Sequence, residues 1–170
     1  MSNFSRIILR RNKADAVRRF HPWIFSGAIK QIDPAVQEGE IVDVHSESGE
    51  YLATGIYSAS NIAVKILSFE PITDLDRFFL HRFQNAHQVR SQLGLTESEI
   101  TNCYRLINAE GDGLPGLIVD WYHGTAVLQA YSIGMYEQRQ RIVASLQAIY
   151  GDKLQAVYDK SATVLPRSHF

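Results

Sequence analysis

Cysteine is nearly absent from this chain: one residue, Cys103, in 170. That excludes an internal disulfide framework and any zinc site built on cysteines. Long apolar runs are missing too, and none approaches the length that crosses a bilayer. The opening "MSNFSRIILRRNK" lacks the apolar stretch and small-residue cleavage site of a signal peptide, so the cytoplasm is the expected location. Excess charge of either sign is also lacking, since 17 Lys/Arg face 18 Asp/Glu for a formal net charge of −1. There are no repeats and no low-complexity linker. The six histidines give no metal-ligand spacing. His81 and His87 stand six apart, off one helix face, and His21, His45, His123 and His169 are scattered, so a metal centre is not expected.

What is present is a globular composition, 45% hydrophobic and 21% charged, enough to bury a real core. The charges are unevenly placed. Residues 1–30 hold seven Lys/Arg against one acid, whereas residues 31–120 hold five against fourteen. A basic opening segment on a near-neutral chain suits a local anion-binding face, or else a solvated surface.

Periodicity divides the chain near residue 72. Before it, "FSRIILR" reads as a strand, and "KADAVRRFHPWIFSG" has helical spacing broken by Pro22. Residues 29–70 then alternate short β-rich runs with Gly, Asn and Ser turns, the mark of a small β-barrel or sandwich. Within them "EIVDVHSESGEYLATG" reads as a hairpin with Glu47–Glu50 at its turn. After Pro71, Thr73 and Asp76 resemble a capping box. Leu75, Phe78, Phe79, Phe83, Ala86, Val89 and Leu93 follow at helical spacing, with Arg77, Arg82 and Arg90 on other faces. Three strands are expected at Cys103–Ala109, Leu117–Tyr122 and Thr125–Tyr131. A helix is expected over about Met135–Tyr150, its apolar face formed by Met135, Ile142, Val143, Leu146 and Ile149. "LQAVYDK" reads as a last strand. "SATVLPRSHF" follows without a closing element, as in a chain that stops short of a further domain.

Gly111, Gly113 and Gly116 spell the dinucleotide-binding fingerprint G-x-G-x-x-G. That motif needs a helix to open inside it, so that free N–H groups face a pyrophosphate. Here "GLIVDWYHGTAVLQAY" follows, with strand-forming residues and no helical period. The segment therefore reads as a wide turn between two antiparallel strands, with glycines supplying positive φ and Pro115 fixing its own. Glu110 and Asp112 could serve as acid/base groups, but capping of turn N–H groups explains them more cheaply. Cys103 opens an apolar strand, where a buried and inert thiol is expected.

"RRFHPWIFSGAIK" interleaves Arg18, Arg19, His21 and Lys30 with Phe20, Trp23 and Phe25. Cations for phosphates beside rings for bases suit RNA recognition. For Trp23 and Phe25 themselves, the barrel core is the expected location.

That stretch, with "GEIVDVHSESGEYLATGIYSASNIAVKIL", resembles the N-terminal PUA domain of a bacterial family of ribosomal RNA methyltransferases. "YRLINAEGDGLPGLIVDWY" resembles the signature of the same family's middle domain. The resemblance spans essentially the whole chain. It departs at Lys65 and Trp121, where the family usually has Arg, so bidentate phosphate recognition at Lys65 is lost.

The resemblance implies a mixed α and β fold: a small PUA-like β-barrel over residues 1–72, followed over 73–170 by an α/β middle domain with antiparallel strands and two main helices. It further implies the RNA-binding and positioning part of an S-adenosylmethionine-dependent 23S ribosomal RNA cytosine-5 methyltransferase. The Rossmann-like catalytic domain, with its cofactor loop and attacking cysteine, would follow residue 170. No catalytic, cofactor or metal residues are then expected in this chain, and the implied partner is RNA, with no membrane. The candidate contacts are Arg18, Arg19, His21, Lys30 and Lys65, with Ser26 and Gly27 permitting close backbone approach. Self-association stays open, a homodimer included. Two other classes fit the sequence: a stand-alone, non-enzymatic PUA-type RNA-binding or assembly module, and a small-molecule sensor using the middle domain.

Overall fold

The computed structural model describes residues 4–165, so His169 and the end of "SATVLPRSHF" lie outside the described residues. The backbone separates between Thr73 and Asp74 into two units.

In the first, β-branched runs give β1 (Ser5–Leu9), β2 (Trp23–Phe25), β3 (Ile29–Ile32), β4 (Ile41–His45), β5 (Tyr51–Tyr57) and β6 (Ile62–Ser68), with a one-turn helix α1 (Asp15–Arg18) after β1. They form one curled, half-barrel sheet in the order β2-β6-β5-β4-β1-β3, with β1 parallel to β4 and the other neighbours antiparallel. Alternate residues fill its interior: Ile7, Leu9, Ile24, Val42, Val44, Val64 and Ile66, closed by Ala14 and Val17 around α1. Each fully buried Val, Leu or Ile contributes about 1.5–3 kcal/mol.

α1 ends before Pro22 can break it. Phe20 takes φ 62°, its N–H donates to Val17 O at 2.9 Å, and His21 N donates to Ala16 O at 3.0 Å. That is a Schellman cap with a phenylalanine where glycine is usual.

The second unit contains α2 (Leu75–Gln92), β7 (Cys103–Asn108), β8 (Leu117–Tyr122), β9 (Thr125–Ala130), α3 (Ile133–Glu137), α4 (Arg139–Tyr150) and β10 (Ala156–Asp159). Its sheet runs β10-β9-β8-β7; β10 pairs with β9 in parallel, a departure from the expected all-antiparallel set.

Four local expectations are corrected. The cap of α2 is Asp74, whose Oδ1 accepts from Arg77 N at 3.0 Å, and not Thr73. Asp76 instead pairs with Arg141 on α4 at 2.7 Å. The buried stripe of α2 is Phe79, Phe83 and Ala86, whereas Val89 and Leu93 are exposed, because the helix outruns the surface it covers. The single helix over Met135–Tyr150 is two, broken at Gln138 (φ −83°, ψ 5°), and Val143 faces outward.

Candidate nucleic-acid interface

The basic segment folds against the β4–β5 hairpin. Its tight turn is closed by Ser46 N donating to Glu50 O at 2.8 Å and Gly49 N to Ser46 O at 3.0 Å. This geometry projects Glu47 and Glu50 outward, and the cations meet them. Arg18 Nη2 lies 2.6 Å from Glu50 and Nη1 lies 2.9 Å from Asp15. Lys30 Nζ pairs with Glu47. The hydrogen bond from Lys30 holds the Glu47 carboxyl below the usual carboxylate range, with Arg11 adding to it. Arg18 does the same for Glu50.

A cleft of about 550 Å³ lies here, lined by Arg11, Arg18, Ser46, Glu47 and Ser48. A second, of about 580 Å³, is lined by Ser26, Lys30 and Gln31 on one side and by Ser58, Ser60 and Asn61 on the other. Lys30 thus lines one cleft and pairs with a residue of the other. The first cleft is mainly polar, and the second adds Ile29, Ile32 and Tyr57 to its polar lining; both offer cations and hydroxyls that suit phosphate and sugar contacts.

The other candidate residues fall into place separately. Arg19 is exposed and donates only to Asp15 O, at 3.3 Å. Ser26 and Gly27 form the short 3-10 turn after β2, and space opens where a Gly27 side chain would stand. His21 Nδ1 lies 3.0 Å from Trp23 O and 3.2 Å from Trp23 N, so its tautomer sets which of the two it bonds. Lys65 is directly opposite Trp23 in the β2–β6 register.

Trp23 and Phe25 do not fill the barrel. β2 is three residues long, and its single inward position goes to Ile24, which is buried. Trp23 is only half-buried and Phe25 is 50% exposed. Arg11, from the same basic segment, and Ser46 and Ser48, which carry no distinguishing signal in the sequence, join the candidates because they line the first cleft.

The glycine stretch is a turn between two antiparallel strands. After β7 comes a 3-10 turn over Ala109–Asp112, then Gly113 (φ 70°) and Gly116 (φ 77°), and then β8. Gly111 does not take positive φ; Ala109 does, at 47°. A side chain on Gly113 would meet the Arg82 guanidinium at 3.0 Å. Asp112 is the anchor of this turn. Its carboxylate takes both Arg90 Nη groups at 2.6 and 2.7 Å and the Asn108 N–H at 2.6 Å. Arg90, expected off the apolar face of α2, is mostly buried and also donates to Arg105 O at 2.9 Å. No helix opens in the loop, so it lacks the N-terminus that the dinucleotide fingerprint aims at a pyrophosphate.

Cys103 is exposed, not buried, with Sγ 3.2 Å from Asn102 Oδ1. Among the described residues no three His, Cys, Asp or Glu converge as a metal site requires, and no helix is long and apolar enough to cross a membrane.

Residues 7–69 match the family described as PUA-like domain. The chain is 37% identical over 158 residues to the ribosomal RNA large subunit methyltransferase I of Escherichia coli strain SMS-3-5, covering 92% of this chain and 39% of that one. The protein of the same name from Shigella boydii serotype 4 gives the same 37% over the same shares. A crystal structure described as that of a candidate methyltransferase complexed with SAH shares the fold, with a TM-score of 0.76 at 22% identity, over 94% of this chain and 41% of that one. The chain therefore spans about two fifths of the length of the relatives it matches.

Proposed function

We propose that this chain is the RNA-binding and positioning portion of an S-adenosylmethionine-dependent methyltransferase acting on cytosine in large-subunit ribosomal RNA, working in the cytoplasm. The observation that carries the proposal is the similarity over nearly the whole chain to relatives named for that RNA, joined to a PUA-like match that contains every candidate contact residue. Arg18, Lys30 and Arg11 would take phosphates at the β4–β5 turn, Arg19 and Lys65 would extend the track, and the Ser26–Gly27 turn would let the RNA backbone approach closely. These contacts hold the RNA in register without reading sequence. Holding it in register is how binding energy lowers the entropic part of a bimolecular barrier.

S-adenosylmethionine would supply the methyl group from a site in the part of the relatives' length that this chain does not match. Residues of this chain would only orient the RNA toward it.

Arg18 and Lys30 are already paired with carboxylates, but exposed pairs of this kind are worth only about 0–1 kcal/mol. Exchange of Glu50 or Glu47 for a phosphate is therefore cheap. Fluorescence titration of structured RNA at several salt concentrations tests the proposal. Few phosphate contacts imply a log–log slope on the order of −2 to −4. Arg18→Glu/Arg19→Glu should bind much more weakly, and equal binding by that variant would remove the basic segment from the interface.

A further inference from the structure

We propose that His21, Trp23, Phe25 and Lys65 form a stacking shelf for unpaired nucleobases of RNA, which rests on the RNA-binding function above and specifies the state of the RNA it takes. β2 is an edge strand, hydrogen-bonded to β6 alone. Its alternation sends Ile24 into the core and leaves Trp23 and Phe25 on the other side. The His21 ring lies 6.3 Å from each of the Trp23 and Phe25 rings, edge-on to the first and tilted 45° to the second. Lys65 stands opposite Trp23, so a cation borders the aromatic group.

A phenylalanine left half-exposed beside an exposed histidine is apolar surface that its own fold leaves half-uncovered. The surrounding charge selects the occupant. Among the described residues neither Arg19 nor Lys65 is ion-paired, and residues 1–30 carry seven cations against one acid. Rings flanked by free cations fit nucleobases on a phosphate chain, because any base can stack on an aromatic face while its phosphates meet Lys or Arg. Bases inside a duplex cannot reach such a surface, so the shelf requires single-stranded or extruded nucleotides.

The test uses the whole chain and a short single-stranded RNA carrying one 2-aminopurine, beside the same sequence as a duplex. Stacking should quench the 2-aminopurine of the single strand, which should bind more tightly than the duplex. Phe25→Ala, at an exposed position where folding is preserved, should weaken the single strand about tenfold. It should leave duplex affinity and the salt slope unchanged, and Phe25→Tyr should restore binding. If Phe25→Ala binds both RNAs like wild type while Arg18→Glu/Arg19→Glu loses them, the shelf is refuted and RNA binding stands. If neither RNA binds wild type, both proposals fail.

Discussion

Cys103 and Phe25 illustrate a limit that acts residue by residue. Each sits in a strand, and alternation along that strand is legible, but alternation does not say which face the rest of the chain covers. β7 adds a second obstacle: its register slips between Arg105 and Ile107, so that Leu106 and Ile107 are both buried although adjacent. A helical stripe is similarly readable in its middle and not at its end. Phe79 and Phe83 are fully buried, whereas Leu93 is 68% exposed. In urea unfolding, Phe79→Ala or Phe83→Ala should therefore cost about 3–5 kcal/mol, while Leu93→Ala should stay within about 0.5 kcal/mol. Equal losses at Phe83 and Leu93 would contradict the burial described. The thiol of Cys103 should react with a disulfide reagent in native buffer, to one equivalent, and a reaction that waits for denaturant would mean that the strand is covered at that point.

The β4–β5 hairpin was legible as an element from its alternation and its Ser-Glu-Ser-Gly turn; its electrostatic role was not, because it depends on Arg18 and Lys30 arriving from elsewhere in the sequence. Lys30 and Arg18 depress Glu47 and Glu50. A carboxylate whose folded pKa lies below its unfolded one contributes stability that is present above the unfolded pKa and is lost as pH falls through the folded value. RNA phosphates compete for the same two cations. Glu47→Gln/Glu50→Gln should then tighten RNA binding, chiefly through Lys30, because Arg18 keeps Asp15 as a partner. Wild type should approach that behaviour as pH falls below the carboxylate range. Unchanged affinity in the double variant would show that Arg18 and Lys30 do not meet phosphate. The turn between β7 and β8 poses a separate test. Arg90 and Asp112 are 13% and 11% exposed and bidentate, so Asp112→Ala leaves a mostly buried guanidinium without its partner and should cost about 3–5 kcal/mol.

At the scale of the molecule, the change from a period of two to a period of 3.6 is written in the sequence around Pro71, and β6 does end at Ser68 and α2 does begin at Leu75. The glycine stretch was legible for the same reason, since strand-forming residues follow it where a cofactor loop would begin a helix. That geometry separates binding of RNA from binding of cofactor. The dinucleotide fingerprint aims a helix N-terminus at its pyrophosphate; here the chain passes from Gly116 directly into β8, with Arg82 packed against Gly113. Calorimetric titration of this chain with S-adenosylmethionine should therefore give no saturable heat, whereas a protein of the relatives' full length should bind it. A micromolar dissociation constant corresponds to about 8 kcal/mol and would be plain in such a titration. Saturation at that affinity by the 170-residue chain would place a cofactor site within these two units and overturn the division of labour proposed for them, whatever the outcome with RNA.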